Sequence, residues 1–325
     1  MSTLTIIVPV YNEGRKLAGN LGRIMEVVSG VQEVQFEYIV VNDGSTDDTV
    51  EQVQSMSHNH PEIGIISLTR NFGKEAAILA GLRHAQGEAA IVMDSDLQHP
   101  PELIPQMIRL WQEGMQVVEA CKSYRGRESW NKKLSAGGFY WIFDLLVSRD
   151  LKNHSDFKLL DRKVIDAYLA LPERRRFFRG LISWLGFPSA QIFFEVPDRE
   201  HGHSGWSSLN LLRLSVDALT GFTSAPLYLI NILGGLCLLL GAVVGGIALY
   251  DKVTGQAVSG FTTVILLILI IGGCIMIGLG LIGIYIGQIF KEVKHRPVYV
   301  VDEEKSTFTA DRGPQTEDRG LRTED

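Results

Sequence analysis

Two aspartates and a glutamine alternate in the segment Asp94-Ser95-Asp96-Leu97-Gln98. Carboxylate and amide oxygens suit a hard divalent cation, which keeps other coordination positions for phosphate oxygens and water. Such a cation could bridge a diphosphate and neutralise the charge that builds on a leaving nucleoside diphosphate. Because Asp and Ser are also frequent in turns after strands, a plain turn is the alternative. The apolar run before Asp94 and the clusters described next favour a metal site made by Asp94, Asp96 and Gln98.

Three further polar clusters each follow a short apolar run: Pro9-Val10-Tyr11-Asn12-Glu13, Asn42-Asp43-Gly44-Ser45 and Arg70-Asn71-Phe72-Gly73-Lys74. The carboxylates of Glu13 and Asp43 could accept hydrogen bonds from a base or a ribose, and Tyr11 could stack on a base. The alternative for Asp43 is a turn with a helix cap. Since all four clusters end apolar runs, we expect them to form one site.

The elements that must position these clusters are short strands alternating with helices. Apolar runs rich in Val and Ile predict strands at 4–10, 36–41, 64–68, 89–93 and 117–120, and helical spacing predicts helices at 17–28, 46–55, 74–84 and 101–113. This alternation predicts an α/β fold with a mostly parallel, Rossmann-like sheet. Ligands bind beyond the carboxyl ends of the strands in such sheets, which is where the four clusters lie.

Two long uncharged runs follow, at 218–250 and 253–290, separated only by Asp251 and Lys252. A helix needs about 20 mostly apolar residues to cross a bilayer. We therefore predict two transmembrane helices, at about 226–250 and 261–290, joined by a short external loop. Two buried core helices of a soluble protein are the alternative, but core helices rarely lack a polar face over such a length.

The net charge and the cysteine content limit which binding partners and which cellular compartment the protein can have. The net charge is −6, and residues 302–325 contribute −4 of it through eight acidic and four basic side chains. The nearly neutral remainder argues against nucleic acid as a partner. The three cysteines show no zinc or disulfide spacing, and no secretory signal is visible. Lys291, Lys294 and Arg296 follow the second run, so the positive-inside rule places both termini in the cytoplasm.

Two segments mix aromatic, aliphatic and basic residues, at about 135–147 and 177–187. Such helices can lie on a membrane surface, and ordinary amphipathic core helices are the alternative. The predicted organisation is a cytosolic domain at 1–215 that includes these helices, the transmembrane region at 218–290, and a polar tail at 291–325 that is partly disordered.

The polar clusters at 9–13, 42–45 and 94–98 resemble, in order, the motifs of glycosyltransferase family 2, which has the GT-A fold. More narrowly, the sequence is similar to the polyprenyl-phosphate glycosyltransferases, the branch that includes dolichyl-phosphate mannose synthases and undecaprenyl-phosphate glucosyltransferases. That similarity rests on Ser155-Asp156-Phe157-Lys158-Leu159-Leu160-Asp161-Arg162, on Arg176-Phe177-Phe178-Arg179-Gly180, and on the segment from Tyr285-Ile286-Gly287 to Arg296-Pro297. It covers about residues 3–301.

The resemblance implies a metal-dependent transfer of one sugar from a nucleotide sugar, with UDP-glucose expected, to undecaprenyl phosphate at the bacterial inner membrane. Asp94, Asp96 and Gln98 would hold Mg²⁺ or Mn²⁺, and Asp156 would join Asp94 and Asp96 as a catalytic residue near the sugar. Arg125, Arg127 and Arg199 are the candidates for the acceptor phosphate. The expected nucleotide-binding residues are Pro9, Tyr11, Asn12, Glu13, Asp43, Ser45, Arg70, Lys74, Asp94 and Ser95.

The sequence also departs from the family. Asn42 stands where relatives often carry a first aspartate, and Gly205-Trp206 follows Gly202-His203-Ser204 where relatives usually have a lysine that contacts the acceptor phosphate. The sequence allows other interpretations of the function. The sugar could be N-acetylglucosamine, aminoarabinose or mannose, the acceptor could be another lipid, or the protein could be a non-catalytic lipid-carrier scaffold. The glycine-rich spans predict a homo-oligomer, and relatives suggest a tetramer.

Overall fold

The computed structural model describes residues 2–122, 154–174, 176–194, 225–255 and 261–307. The chain divides into two units: one contains the N-terminal domain and the segment from Arg296 onward, and the other contains two long helices. The helices of the first unit are α1 (Gly14–Val28), α2 (Thr49–Asn59), α3 (Lys74–His84), α4 (Ile104–Gln112), α5 (Arg162–Ala170) and α6 (Phe178–Trp184). Its strands are β1 (Ser2–Val10), β2 (Val34–Asn42), β3 (Ile63–Ser67), β4 (Ala89–Val92), β5 (Val117–Lys122), β6 (His154–Asp161) and β7 (Ser189–Phe194).

The seven strands form one mixed sheet in the order β3-β2-β1-β4-β6-β5-β7. Four neighbouring pairs are parallel, whereas β6 runs antiparallel to both β4 and β5. The predicted α/β class with a mostly parallel sheet is confirmed, and β1 to β5 lie where the apolar runs indicated. The strands β6 and β7 were not anticipated.

Alternation along the strands sends side chains into two apolar layers. Ile6 and Val8 of β1 pack with α1, whereas Ile7 between them packs with α3 on the opposite face. Helix α1 presents Leu17, Leu21, Ile24 and Val28 to the first layer, the three-and-four spacing of an amphipathic helix. Helices on both faces bury most residues of the central strands, including the last residues of β2 and β4, and this packing positions the carboxyl ends of β1, β2 and β4.

Residues 296–307, here called the C-terminal strap, return to this domain after the second long helix. The strap lies along β3, the strand at the sheet edge, and bridges Leu68 through Val301. Val298, Tyr299 and Val301 pack against the second apolar layer. The tail predicted from residue 291 is thus built into the domain as far as Thr307, and residues 308–325 lie outside the described part.

The second unit contains α7 (Ala225–Val253) and α8 (Phe261–Val293). Segments Ile230–Val253 and Ile270–Phe290 are long and apolar enough to cross a membrane. Almost none of the described side chains in these segments are buried, unlike those of soluble core helices. The helices contact each other, with the Sγ atoms of Cys237 and Cys274 3.3 Å apart. These bounds agree with the two predicted spans.

Candidate active site

The loops after β1 and β2 are tied together by hydrogen bonds between side chains and backbone. The backbone N–H of Asn12 donates to Ser45 Oγ at 2.9 Å. The backbone N–H of Thr46 donates to the side-chain oxygen Oδ1 of Asn12, also at 2.9 Å. Asn12 adopts a left-handed conformation, which an asparagine tolerates. This geometry leaves the Tyr11 ring 46% exposed beside the loops. The predicted residues Tyr11, Asn12 and Ser45 therefore share one surface at the carboxyl ends of the strands.

Asp43 joins β2 to the loop that follows β3. Its buried carboxylate accepts hydrogen bonds from the amides of Phe72 at 2.7 Å and Gly73 at 2.9 Å. Burial raises the pKa of Asp43, although the two amides and Arg70 oppose the shift. Gly44 is required next to it, because its φ is +67° and an added Cβ would lie 2.2 Å from the carbonyl carbon of Arg70. In this structure Asp43 holds the loop between β3 and α3, which carries Arg70 and leads into Lys74 at the start of α3.

Asp94, Asp96 and His99 form a cluster just beyond β4. One ligand atom from each of the three side chains lies within 4.8 Å of the other two, and His99 Nδ1 is 3.9 Å from Asp94 Oδ2. Oxygen and imidazole donors at this spacing suit Mg²⁺ or, better, Mn²⁺. Gln98, the third predicted metal ligand, is exposed, and its backbone N–H donates to Asp96 Oδ1 at 3.1 Å. The predicted Asp94–Asp96 pair is thus a DxD-like site.

Glu13 and Ser95 lie on the same side of this cluster. The pKa of Glu13 is raised by burial and by the charge of Asp96, while Lys16 and a hydrogen bond with Ser95 oppose the shift. Asn20 holds the loop by donating from Nδ2 to the Ser95 carbonyl at 2.7 Å. The end of β1 and the end of β4 therefore meet, as the sequence pattern predicted.

Asp156 lies on β6 and is almost completely buried between two cations. Arg179 donates to it through Nε at 2.6 Å and Nη2 at 2.8 Å, and Lys74 Nζ is 2.6 Å from Oδ2. Burial alone would raise the pKa of Asp156, but Arg179 and Lys74 hold it well below its usual range. Lys74 Nζ is also 2.5 Å from Asp94 Oδ1. Lys74 therefore connects the DxD-like pair to Asp156.

Glu75 is a further acidic residue behind this network. Its carboxylate accepts from the Phe178 amide at 2.8 Å, which attaches the first turn of α6 to α3. Burial raises the pKa of Glu75 to about 7, against the lowering effect of that hydrogen bond. Because Arg179 is the next residue along α6, Glu75 helps to set the position of the guanidinium group against Asp156.

The structure thus brings most predicted site residues together and adds His99, Arg179 and Glu75, which the sequence analysis did not place in the site. The Arg176-Phe177-Phe178-Arg179-Gly180 motif was the available indication for Arg179. The acceptor candidates Arg125, Arg127 and Arg199, and the segment 135–147, lie outside the described residues. Within the segment 177–187, Phe178, Leu181 and Ile182 are buried in the domain, whereas Trp184 is 71% exposed.

Comparison with known proteins found a family match and relatives that cover nearly the whole chain. Residues 5–168 match the model of glycosyl transferase family 2. An uncharacterized glycosyltransferase of Synechocystis is 37% identical over 302 residues, which cover 92% of this chain and 95% of that protein. The bactoprenol glucosyl transferase of Shigella phage SfV is 34% identical over 304 residues, covering 93% and 99%. A Pyrobaculum calidifontis mannosyltransferase, solved with GDP-Man and Mn²⁺, has a TM-score of 0.44 and 18% identity, covering 78% of this chain and 83% of that chain.

A mixed α/β sheet with a DxD-like pair and a buried aspartate at one end of its strands is the arrangement expected of a glycosyltransferase. The chain belongs to glycosyltransferase family 2 and is a glycosyltransferase.

Proposed function

We propose that this enzyme transfers one sugar from a UDP-sugar, with UDP-glucose as the leading donor, to a polyprenyl phosphate such as undecaprenyl phosphate. The observation that carries the proposal is the ion network in which Lys74 joins Asp94 to Asp156 and Arg179 holds Asp156. Relatives named bactoprenol glucosyl transferases match nearly their whole length, including the two long helices, and this supports the lipid acceptor.

The donor would lie across the ends of β1, β2 and β4. Tyr11 is exposed for stacking on the base, Glu13 can accept from the base or ribose, and Arg70 and Lys74 are cations suited to phosphate oxygens. Pro9 lies near the end of β1 and Asn12 shapes the loop that follows, whereas Asp43 and Ser45 act through the loops that they hold. These roles remain predictions for each residue.

Asp94, Asp96, His99 and the predicted ligand Gln98 would hold Mg²⁺ or Mn²⁺. The ion would supply positive charge to the diphosphate as it leaves. Lys74 adds a second positive charge at the same place, because its Nζ already contacts Asp94. Positioning and fixed charge, rather than proton transfer, would then carry most of the rate enhancement.

The reaction is an inverting displacement. An oxygen of the acceptor phosphate attacks the anomeric carbon from the face opposite the nucleoside diphosphate, so one C–O bond forms while the bond to the diphosphate breaks. The acceptor phosphate is anionic near neutral pH and needs no strong base. Asp156 has a pKa well below its usual range and is therefore a poor base. Its carboxylate would orient the sugar and stabilise positive charge that develops on the ring.

The membrane would present the acceptor. Two candidate spans support a location in a bacterial inner membrane. The catalytic domain and both termini would lie in the cytoplasm, as the positive-inside rule predicts. Arg125, Arg127 and Arg199 remain the candidates for the acceptor phosphate, since a guanidinium group binds phosphate through two hydrogen bonds. A homo-oligomer, with four copies as the leading arrangement, remains a prediction.

A transfer assay tests this proposal. Purified protein in detergent is mixed with undecaprenyl phosphate, Mg²⁺ or Mn²⁺, and a panel of labelled UDP- and GDP-sugars. We expect a lipid-linked product from UDP-glucose that EDTA abolishes and that Asp96→Ala lowers by roughly 1,000-fold. The exposed Asp166→Asn is the matched control and should keep full activity. Another donor, or diacylglycerol as acceptor, would correct the substrate. Donor binding without transfer to any lipid would favour a non-catalytic carrier.

A further inference from the structure

The C-terminal strap is attached to the strand that leads into the donor-binding loop. It lies along the end of β3 and the two residues that follow, from Ile65 to Thr69. Strand β3 is the outermost strand at its side of the sheet. The sequence between β3 and α3 carries Arg70 and ends at Lys74, two of the expected nucleotide-binding residues. The strap therefore covers the edge of the sheet that supports one wall of the site.

The attachment consists of backbone hydrogen bonds in two places. At the start of the loop, the Thr69 amide donates to the Val300 carbonyl at 3.0 Å, and the Asp302 amide donates to the Ser67 carbonyl at 2.7 Å. Nearer the middle of β3, the Thr307 amide donates to the Ile65 carbonyl at 2.9 Å, and the Ile65 amide donates to Thr307 Oγ1 at 2.8 Å. The strap thus pairs with β3 as an additional edge segment.

Side chains strengthen the attachment. Val298, Tyr299 and Val301 pack against the same apolar layer as Phe72 of the loop. The guanidinium carbon of Arg83 lies 5.6 Å from the centre of the Tyr299 ring. The amide of Phe72 in turn donates to Asp43. Holding Thr69 on one side and Phe72 on the other fixes the backbone of Arg70, against which Gly44 packs.

We propose that the C-terminal strap is a part of the donor site, and that it positions the Thr69–Gly73 loop for the nucleotide diphosphate. The strap starts three residues after α8 ends at Val293, so the segment that completes the site is directly connected to the second candidate span. The loop keeps its binding conformation only while the strap is paired with β3. The inference rests on the proposed donor, because it assigns the strap's effect to nucleotide binding.

A truncation pair tests the proposal on the membrane-bound enzyme. One protein ends at residue 295 and lacks the strap, and the matched control ends at residue 309 and lacks only the segment beyond it. We expect the control to bind UDP with Mn²⁺ as the full chain does, and the shorter protein to bind roughly tenfold more weakly. A peptide of residues 296–309 should restore binding. Equal UDP affinity in the two truncated proteins would overturn the proposal.

Hydrogen exchange separates this inference from the proposed donor. The amides of Thr69, Phe72 and Gly73 should exchange faster without the strap, whether or not any nucleotide binds. If the control also fails to bind UDP, the donor assignment is wrong and the exchange data still decide the role of the strap. Unchanged exchange at these amides would rule that role out.

A point substitution covers the case in which the shorter protein does not fold. Asp302→Pro removes the amide that donates to Ser67, at a residue whose φ of −88° is close to that of proline. Asp302→Ala keeps the amide and is the control for the lost side chain. We expect faster loop exchange and roughly threefold weaker UDP binding for the proline variant alone. Identical behaviour of the two variants would contradict the proposal.

Discussion

Lys74 and Arg179 together match the two negative charges of Asp94 and Asp156 in the centre of the site. Burial alone would raise the pKa of Asp156, and those two partners more than offset that effect. The same partners that keep it ionised also make it a weak base. A carboxylate that stays ionised is suited to orienting the sugar and stabilising positive charge on it. The acceptor phosphate is itself anionic, so the attack does not need a base.

Replacing Arg179 tests that role. Arg179→Ala removes two charge-assisted hydrogen bonds from a buried carboxylate, each worth about 1.5–3 kcal/mol. We expect kcat to fall by roughly 100-fold or more, while UDP affinity changes by less than about threefold, since Arg179 contacts Asp156 and not the donor loop. Steady-state kinetics and calorimetry measure the two effects. Arg109→Ala, at an exposed position of α4, is the control, and normal turnover in folded Arg179→Ala would contradict the assignment.

The carboxyl group of Glu75 predicts a pH dependence of stability. Its pKa is about 7 in the folded protein and 4.5 ordinarily, because it is buried. It therefore contributes stability below pH 4.5 that is lost as the pH rises through 7, by at most about 3 kcal/mol. Gln keeps the acceptor for Phe178 without ionising. The thermal stability of Glu75→Gln relative to the wild type should rise between pH 5 and 8, and a difference that stays constant over this range would contradict the prediction.

The packing of α3 on β1 depends on a glycine. An added Cβ at Gly81 would lie 2.3 Å from Ile7 Cγ2, whereas an added Cβ at Gly19 of α1 meets nothing within 4 Å. Both glycines lie inside helices, so alanine favours each helix by about 1 kcal/mol. We expect Gly81→Ala to destabilise the domain by about 1–3 kcal/mol through overpacking and Gly19→Ala to stabilise it slightly. Chemical denaturation measures both, and a stabilising Gly81→Ala would disprove the close contact.

The elements that could be predicted from sequence are those in which the pattern of apolar and polar residues matches burial in the fold. The strands β1 to β5 are apolar runs that end at turns, so their burial and their ligand-binding ends were both readable. Strand β6 was missed because it carries Asp156 and Lys158, and polar residues in a run argue against a buried strand. Lys158 is nevertheless completely buried, since it pairs with Glu119 of β5.

Contacts between distant segments could not be predicted. Glu75 and Phe178 are 103 residues apart, and no periodicity indicates that α6 begins against α3. The C-terminal strap pairs with β3 through backbone groups and the hydroxyls of Ser306 and Thr307, which no periodicity in the sequence indicates. Its acidic residues suggested a solvated tail. The motif containing Arg179 was visible, but the partner of Arg179 depends on how β6 and α6 pack. The sequence thus predicted which residues meet at the strand ends, but not which residues of the later helices join them.

At the scale of the whole molecule, the strap restricts how the chain can cross a membrane. Residues 296–307 form hydrogen bonds with β3, so the segment after the second long helix must be on the same side of the membrane as the N-terminal domain. Two helices of sufficient length lie between the domain and the strap. An even number of crossings satisfies the pairing, and two crossings agree with the length and hydropathy of both helices.

Reporter fusions test this topology in a bacterial host. Alkaline phosphatase is active only outside the cytoplasm, and green fluorescent protein folds to its fluorescent state only inside it. We expect phosphatase activity when the chain is fused after residue 255, between the two helices, and fluorescence without phosphatase activity when it is fused after residue 309. The basic residues Lys291, Lys294 and Arg296 favour the same orientation. An active phosphatase after residue 309 would mean that the helices cross the membrane an odd number of times. The strap and β3 would then lie on opposite sides of the bilayer, and the strap could not pair with β3.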